Sequence, residues 1–136
     1  MANLLYDAGR EAFLDGNLDW AADTIKVTLL DTSGYVYSSA HDFYNDITVA
    51  GRTAESGAFV GKTSTDGTAD ASDVTLSAVS GSVSENLIIW EDDASASDSD
   101  RLIARIDTAT GLAVTPNGGD ITITWDSGTD KIFTLQ

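Results

Sequence analysis

The clearest strand pattern in this sequence lies in residues 101–136, which read RLIARIDTATGLAVTPNGGDITITWDSGTDKIFTLQ. Apolar and polar side chains alternate over 102–106 and again over 121–125, which is the two-residue period of half-buried strands. Segments 116–119 and 126–128 consist of Pro, Asn, Gly, Asp and Ser, which favour turns. The stretch therefore predicts consecutive antiparallel strands, a meander that closes a compact domain.

Strand patterns continue upstream of this stretch. Residues 24–30 predict a strand whose aliphatic side chains face inward, while Lys26 and Thr28 face water. Residues 87–90 are apolar at every position, which predicts a central strand between two layers. The dipeptide Asp66-Gly67 is typical of a tight hairpin turn. Shorter strands are predicted at 35–37, 58–60 and 74–78.

Two helices are predicted among these strands. Residues 3–14 have an apolar face that includes Leu4 and Leu5, with Asn3 as the expected cap and Gly16 as the stop. This face either packs on the protein's own sheet or docks on a neighbouring subunit. Residues 39–47 predict a second, short helix. The predicted fold is mainly β, an antiparallel β-sandwich or barrel-like domain over residues 1–136 with these two short helices.

Composition limits the classes of partner. The chain of 136 residues is 42% hydrophobic, has no cysteine and carries a net charge of −15 from 22 acids against seven Lys and Arg. Disulfides and thiolate metal sites are excluded, and binding to nucleic acid or an anionic membrane is disfavoured because both need basic clusters. The charge serves either solubility or docking to a basic partner surface or a cation.

The segments that would indicate a membrane or secreted protein are missing from the sequence. No basic and then apolar leader is found, and the apolar run at 87–90 is far too short for a membrane span. We therefore expect a protein made in the cytoplasm.

Motifs that suggest chemistry fail on spacing. Residues 57–63 resemble a phosphate loop but have three residues between the glycines instead of four, and they lack the strand–loop–helix context. His41 is the only histidine, and no Gly-x-Ser-x-Gly motif is present, which disfavours a zinc site and a serine triad. The acidic loop 91–100 lacks the ligand spacing of an EF-hand. We expect no catalytic residue, no cofactor and no bound metal.

Tryptophan side chains can stack on sugar rings. Trp20, Trp90 and Trp125 are the candidates, but Trp90 and Trp125 fall on inward positions and are expected in the core.

Interface candidates come from exposed positions rather than from motifs. Arg101, Ile103 and Arg105 are expected to share one strand face, where the arginines either pair with acids of the same chain or anchor a subunit contact. The aromatic residues that flank turns are candidates for exposed contacts: Tyr35, Tyr37, Tyr44 and Phe59. Leu4 and Leu5 join them if the first helix docks on a neighbour.

The chain resembles small virion-associated proteins that tailed bacteriophages encode near their head genes. The matching segments are LIARIDTATGLAVTPNGGDITITW at 102–125, KIFTL at 131–135, YDAGREAFLDGNLDW at 6–20 and TIKVTLLDT at 24–32. Some proteins of this kind decorate capsids. The resemblance implies a capsid decoration, or cement, protein on the virion surface that binds the major capsid protein, as a homo-oligomer with a trimer favoured.

Two alternatives remain open from the sequence. One is another structural virion component, in the tail, the connector or a head fibre. The other is a carbohydrate-binding or adhesin module.

Overall fold

The computed structural model describes residues 4–95, 99–129 and 131–135, and within them the fold is mainly β. These residues contain ten short strands, one α-helix and three single 3₁₀ turns. The elements are β1 Leu4–Leu5, α1 Asp7–Leu14, β2 Ile25–Leu30, β3 Arg52–Glu55, β4 Thr63–Thr65, β5 Thr68–Asp70, β6 Val74–Leu76, β7 Asn86–Glu91, β8 Leu102–Ile106, β9 Ile121–Ile123 and β10 Phe133–Thr134.

The sheet topology differs from the predicted C-terminal meander. The main sheet has five antiparallel strands in the order β1-β8-β7-β2-β3, whereas β9 pairs with β6, and β10 joins β5 and β4. Strands β8, β9 and β10 therefore lie in three different sheets, and the predicted meander is wrong. The physical reason is that alternation reports which side of a strand is buried and not which strand it pairs with.

The first hydrophobic core lies on one face of the main sheet. Strand β7 is buried at all six positions between β2 and β8, which confirms the central strand predicted at 87–90. The smaller sheets and α1 cover this face, and burial of each large aliphatic side chain there contributes about 1.5–3 kcal/mol. Its members from the main sheet are Ile25, Val27, Leu29, Leu87, Ile89, Ile103, Ala104 and Ile106, and those from the covering elements include Ala12, Ala69, Leu76 and Ile123.

The opposite face of the main sheet is buried too, as the central strand predicted at 87–90 requires. Residues 35–51 cover it and form a second core with Ile88, Trp90 and Leu102. Thr28, predicted to face water, is fully buried there, because its hydroxyl pairs with the Tyr44 hydroxyl at 2.6 Å. The covering segment 35–51 has few regular elements, so its sequence has no periodic pattern that would predict its position on the sheet.

The first predicted helix is shorter than expected. Leu4 and Leu5 form β1 at the edge of the main sheet, and α1 begins only at Asp7. The expected cap, Asn3, lies outside the described residues. Gly9 faces β8 so closely that a Cβ atom there would be 2.7 Å from the Leu102 carbonyl oxygen. This close packing places α1 in the core.

The second predicted helix, over 39–47, is wrong. One 3₁₀ turn at Tyr44–Asp46 takes its place. The backbone around it bonds to the main sheet instead, since Tyr44 N–H donates to Asp100 C=O at 2.7 Å and Asp42 C=O accepts from Leu102 N–H at 3.0 Å. Those bonds use the groups that an α-helix would need internally.

The shorter strand predictions have mixed outcomes. The turn predicted at Asp66-Gly67 is confirmed, where it joins β4 to β5, and so is a strand within 74–78. No strand forms at 35–37 or at 58–60. Beside β2, the hydroxyl of Ser56 accepts the Val27 N–H at 3.0 Å in place of a backbone carbonyl, so the regular ladder ends at β3. Ser56 N–H and Phe59 N–H still donate to Val27 C=O and Ile25 C=O.

Candidate functional site

The structure buries four of the nine residues predicted to make exposed contacts. The aromatic and aliphatic candidates at most 5% exposed are Tyr35, Tyr44, Phe59 and Ile103, and the prediction that they are exposed is wrong. Those that keep accessible surface are Leu4, at 41%, and to a lesser extent Leu5, Tyr37, Arg101 and Arg105. The burial of the four follows from the second core and from the fully covered main sheet.

Arg101 and Arg105 do not share a strand face. Ile89 pairs with Ala104 and the next residue, Trp90, pairs with Leu102, so Ile103 is an extra residue in β8. Such a bulge shifts the alternation by one position, which places Ile103 in the first core and separates the two arginines.

The sequence left two roles open for the arginines, pairing with acids of the same chain or anchoring a subunit contact. Both arginines pair with acids of the same chain. The Arg105 guanidinium lies 2.8 Å from Asp107 and 4.3 Å from the centre of the Tyr37 ring. Arg101 lies 3.9 Å from the Glu91 carboxylate on the neighbouring strand. These contacts occupy the arginine head groups, so neither is a free anchor for a partner.

A line of hydrogen bonds crosses the second core. The Trp90 indole N–H donates to the Thr28 hydroxyl at 2.9 Å, and the Tyr44 hydroxyl donates to the Glu55 carboxylate at 2.5 Å. Thr28 must then donate its single hydroxyl hydrogen to Tyr44, which gives the line one direction. The Tyr44 ring stacks on Trp90 with centroids 3.9 Å apart and carries Arg52 on its other side at 4.1 Å. This arrangement holds the covering segment 35–51 in place.

His41 ends a shorter line of polar contacts in the same core. Its Nδ1 atom lies 2.7 Å from the Tyr35 hydroxyl, which lies 3.1 Å from the Tyr6 hydroxyl. Burial raises the pKa of both tyrosines, so both hydroxyls stay protonated at neutral pH. His41 thus supports Tyr35 from the surface.

Three turns meet at one end of the main sheet, where Leu30 of β2 pairs with Arg52 and Asn86. These turns, residues 31–36, 48–51 and 80–85, are called the turn end below. Each carries one exposed valine, and the three are Val36 at 84%, Val49 at 74% and Val83 at 43% exposure. Exposed apolar side chains grouped at one end of a molecule indicate an interaction site more strongly than scattered ones do.

Backbone contacts lock the turn end together. The Asp31 N–H donates to Gly51 C=O at 2.8 Å, and a Cβ atom on Gly34 would lie 2.8 Å from the Gly51 Cα. The Glu85 carboxylate accepts from the Thr32 N–H at 2.9 Å and from the Thr32 hydroxyl at 3.0 Å. The valines are therefore presented on a pre-organised surface.

Acidic side chains collect at the opposite end of the main sheet. This acidic end comprises residues 19–24, 91–95 and 99–101, in which Asp92 N–H donates to Thr24 C=O at 2.9 Å and Asp93 N–H donates to the Asp100 carboxylate at 3.0 Å. Its acids are Asp19, Asp23, Glu91, Asp92, Asp93 and Asp100. Glu91 and Asp100 are buried, and Asp98 of the acidic loop lies outside the described residues.

Burial changes the protonation of the acidic end. It raises the pKa of Glu91 to about 7, and the neighbouring Asp23 carboxylate adds to this shift while Arg101 opposes it. Burial also raises the pKa of Asp100 to about 6, whereas the Ser95 N–H lowers the pKa of Asp93. The charge of the acidic end therefore changes with pH near neutrality.

The described residues offer no group of three or more His, Cys, Asp and Glu side chains arranged to hold a metal ion. Within the same residues, no helix has the length and apolar character needed to cross a membrane.

Comparison with known proteins leaves the family open. The chain matches no model of a known protein family, and no curated protein is significantly similar to it.

The turn end escaped the sequence predictions. The signal that marks it is a valine inside each of three turns that are rich in Gly, Ser, Thr, Ala and Asp, as in Gly81-Ser82-Val83-Ser84. Turn residues are normally polar. An isolated valine in a turn is therefore unusual, because its side chain does not reach the core. The sequence contains this signal at Val36, Val49 and Val83, but it does not show that the three turns meet.

Proposed function

We propose that this protein decorates the capsid of a tailed bacteriophage, binding its outer surface through the turn end and stabilising contacts between major capsid subunits. The observation that carries the proposal is the set of three exposed valines on turns locked together at one end of the main sheet. Exposed apolar groups on a pre-organised surface are typical of protein interaction sites.

Rigidity of the turn end adds to the binding energy. A loop that must become ordered on binding loses conformational entropy, about 0.5–1.5 kcal/mol for each immobilised side chain. The bonds from Asp31 to Gly51 and from Thr32 to Glu85 already hold two of these connections in place. Valine has little rotamer freedom to lose, so most of its burial energy remains available for docking.

The acidic end lies on the side of the protein that faces away from the capsid in this proposal. Its carboxylates lie beyond the far ends of β2 and β7, away from the turn end. In the proposed complex this end faces solvent, where the charge keeps decorated particles soluble and apart.

The stabilising effect is mechanical. Several copies, arranged as a symmetric oligomer with a trimer favoured by the resemblance, span the junctions between capsid subunits. Each copy contributes a modest affinity, and linked copies raise the force needed to separate the subunits through multivalency.

The test is binding of purified protein to expanded capsids that lack it. A triple variant, Val36→Asp, Val49→Asp and Val83→Asp, places charges on the turn end. Its affinity for the capsid should fall at least about tenfold for each of these valines that is strongly buried in the complex. Circular dichroism and thermal unfolding check that the variant is folded. Cryo-electron microscopy of decorated capsids gives location and symmetry.

Val60→Asp provides the matched control. Val60 is 67% exposed and follows Phe59, whose N–H bonds to Ile25 C=O at the other end of β2. This variant should bind as the wild type does. The proposal is wrong if the folded triple variant binds normally, if Val60→Asp loses as much affinity, or if the wild type binds tails and not capsids.

A further inference from the structure

An apolar cleft lies between the end of α1 and the sheet that β4, β5 and β10 form. Ser64 and Phe133 both pair with Ala69, so the three side chains share one face of this sheet. Phe13 and Phe133 are half-buried and Leu135 is 38% exposed, so the cleft is open to solvent. It is called the aromatic cleft below, and the residues that line it include Phe13, Trp20, Ser64, Ala69, Phe133 and Leu135.

The aromatic cleft has room for a single apolar group. Its volume of about 190 Å³ is below the range of about 300–1,000 Å³ that is usual for small-molecule sites, but above the volume of about 150 Å³ that holds benzene. Among the described residues, none that lines it is charged. The Trp20 indole N–H already donates to Asp70 C=O at 3.2 Å, and the Thr68 hydroxyl pairs with the Thr134 hydroxyl at 3.0 Å. These groups are not free for a polar ligand, so an apolar side chain fits best.

The rings of the aromatic cleft are held in place without a ligand. The Phe133 ring lies 5.3 Å from the Trp20 ring, nearly perpendicular to it, and 6.1 Å from the Phe13 ring, measured between centroids. Strand β10 is fixed beside β5, because the Leu135 N–H donates to Gly67 C=O at 2.8 Å. A further aromatic ring can pack on such a cluster in the tilted arrangements that aromatic pairs prefer. Pre-organisation lowers the cost of this binding.

Exposed acids flank the aromatic cleft. Asp15 follows the last residue of α1, and Asp19 precedes Trp20. Asp66 precedes Gly67, which also lines the cleft. Within the described part of the chain, none of these three acids pairs with a lysine or an arginine. A partner segment with basic residues is therefore complementary in charge, whereas an acidic segment is repelled.

We propose that the aromatic cleft docks one aromatic side chain of a partner protein, carried on a segment rich in Lys and Arg. Single aromatic residues that fill a pocket commonly anchor protein interfaces. Leu14, which follows Phe13 and is 81% exposed, adds apolar surface beside the cleft. The proposal goes beyond capsid docking, because the aromatic cleft shares no residue with the turn end.

The test is NMR of the full ¹⁵N-labelled chain titrated with three capped peptides, Lys-Lys-Phe-Lys-Lys, Lys-Lys-Ser-Lys-Lys and Glu-Glu-Phe-Glu-Glu. The first peptide should shift the amide signals of 13–14, 67–69 and 133–135 in a saturable way, with a Kd on the order of 1 mM. The serine peptide lacks the anchor and the glutamate peptide reverses the charge, so each should bind there at least about fivefold more weakly. Signals of the turn end should stay in place.

A matched pair of variants connects the shifts to the aromatic cleft. Ser64→Leu fills the cleft from β4 and should weaken binding of the phenylalanine–lysine peptide about fivefold or more. Thr65→Leu adds the same side chain on the opposite face of β4, where Thr63 and Thr65 border a different cleft, and should leave the Kd unchanged. Circular dichroism checks that both variants are folded, and the comparison of peptides needs the wild type only.

Four results would overturn the proposal. The first is that the phenylalanine–lysine peptide leaves the cleft signals in place, and the second is that the serine or the glutamate peptide binds there equally well. The third is that folded Ser64→Leu binds as the wild type does. The fourth is that a higher protein concentration alone shifts the cleft signals, because a second copy of the chain would then occupy the site. None of these results bears on capsid docking, which the valine variants test separately.

Discussion

Thr28 joins Trp90 and Tyr44 through a single hydroxyl group, which accepts from one and donates to the other. A buried polar group costs free energy unless it is bonded, so each member of this line depends on its neighbours. The line ends at the Glu55 carboxylate near the edge of the sheet. At the residue scale, therefore, the second core is held by specific polar contacts as well as by burial.

Thr28→Val tests this dependence. The substitution keeps the shape but leaves the Trp90 N–H and the Tyr44 hydroxyl each short of a partner, at an expected cost of about 1–3 kcal/mol in the free energy of unfolding. Thr28→Ser retains the hydroxyl and should lose less. Urea denaturation followed by tryptophan fluorescence measures both. A valine variant as stable as the serine variant would contradict the role given to the hydroxyl.

Glu91 gives stability a pH dependence of known sign. Its pKa is about 7 in the folded chain against an ordinary value of 4.5, so the folded state holds an extra proton between these values. Stability contributed by the neutral carboxyl is thus present at low pH and is lost as pH rises from about 4.5 to 7.

The variant Glu91→Gln has no proton to lose there. Relative to the wild type it should gain about 1–3 kcal/mol between pH 5 and pH 7.5, measured by urea denaturation at both pH values. Glu11→Gln, at an exposed position on α1, is the control and should show no such gain. An equal difference from the wild type at both pH values would show that Glu91 titrates normally.

At the scale of elements, the packing of α1 on β8 requires the two backbones to lie in close contact. A glycine in a helix normally weakens it by about 1 kcal/mol relative to alanine. Gly9 nonetheless allows the helix to lie against the Leu102 carbonyl, where a Cβ atom would be only 2.7 Å away. Ala12 on the same helix is buried in the first core, which adds to this contact.

Gly9→Ala should therefore destabilise the protein in spite of the better helix propensity. The clash separates α1 from β8 at a cost of about 1–3 kcal/mol, the usual range for overpacking. Gly57→Ala is the control, because a Cβ atom there has nothing within 4 Å. Thermal unfolding compares the two. A Gly9→Ala variant more stable than the wild type would mean that α1 is not packed as described.

The elements also show where sequence reasoning succeeds and where it fails. Local patterns predicted β2, β7 and the turn at Asp66-Gly67, because periodicity and turn chemistry are local properties. The meander failed because pairing between distant strands is set by the whole chain. The bulge at Ile103 and the turn end depend on contacts between segments far apart in sequence, so the faces of Arg101 and Arg105 were not predictable from alternation.

At the scale of the whole molecule, the main sheet has two unlike ends. The turn end carries exposed valines, while the acidic end carries six carboxylates. The pKa is raised or lowered at four of them, Glu91, Asp92, Asp93 and Asp100. The net charge of −15 was open to two explanations, solubility or docking to a basic partner. This polarity favours solubility, since the proposed docking end is the apolar one.

Salt dependence of capsid binding separates the two explanations. Ion pairs between a protein and its partner are screened over a Debye length that falls from about 10 Å at 0.1 M salt to about 3 Å at 1 M. Apolar docking through the turn end is not screened, so affinity should change by less than about threefold between these salt concentrations. The double variant Asp92→Asn and Asp93→Asn should bind capsids as the wild type does. If affinity instead falls tenfold or more with salt, and falls again in the double variant, the acidic end is the docking surface and the proposed orientation is reversed.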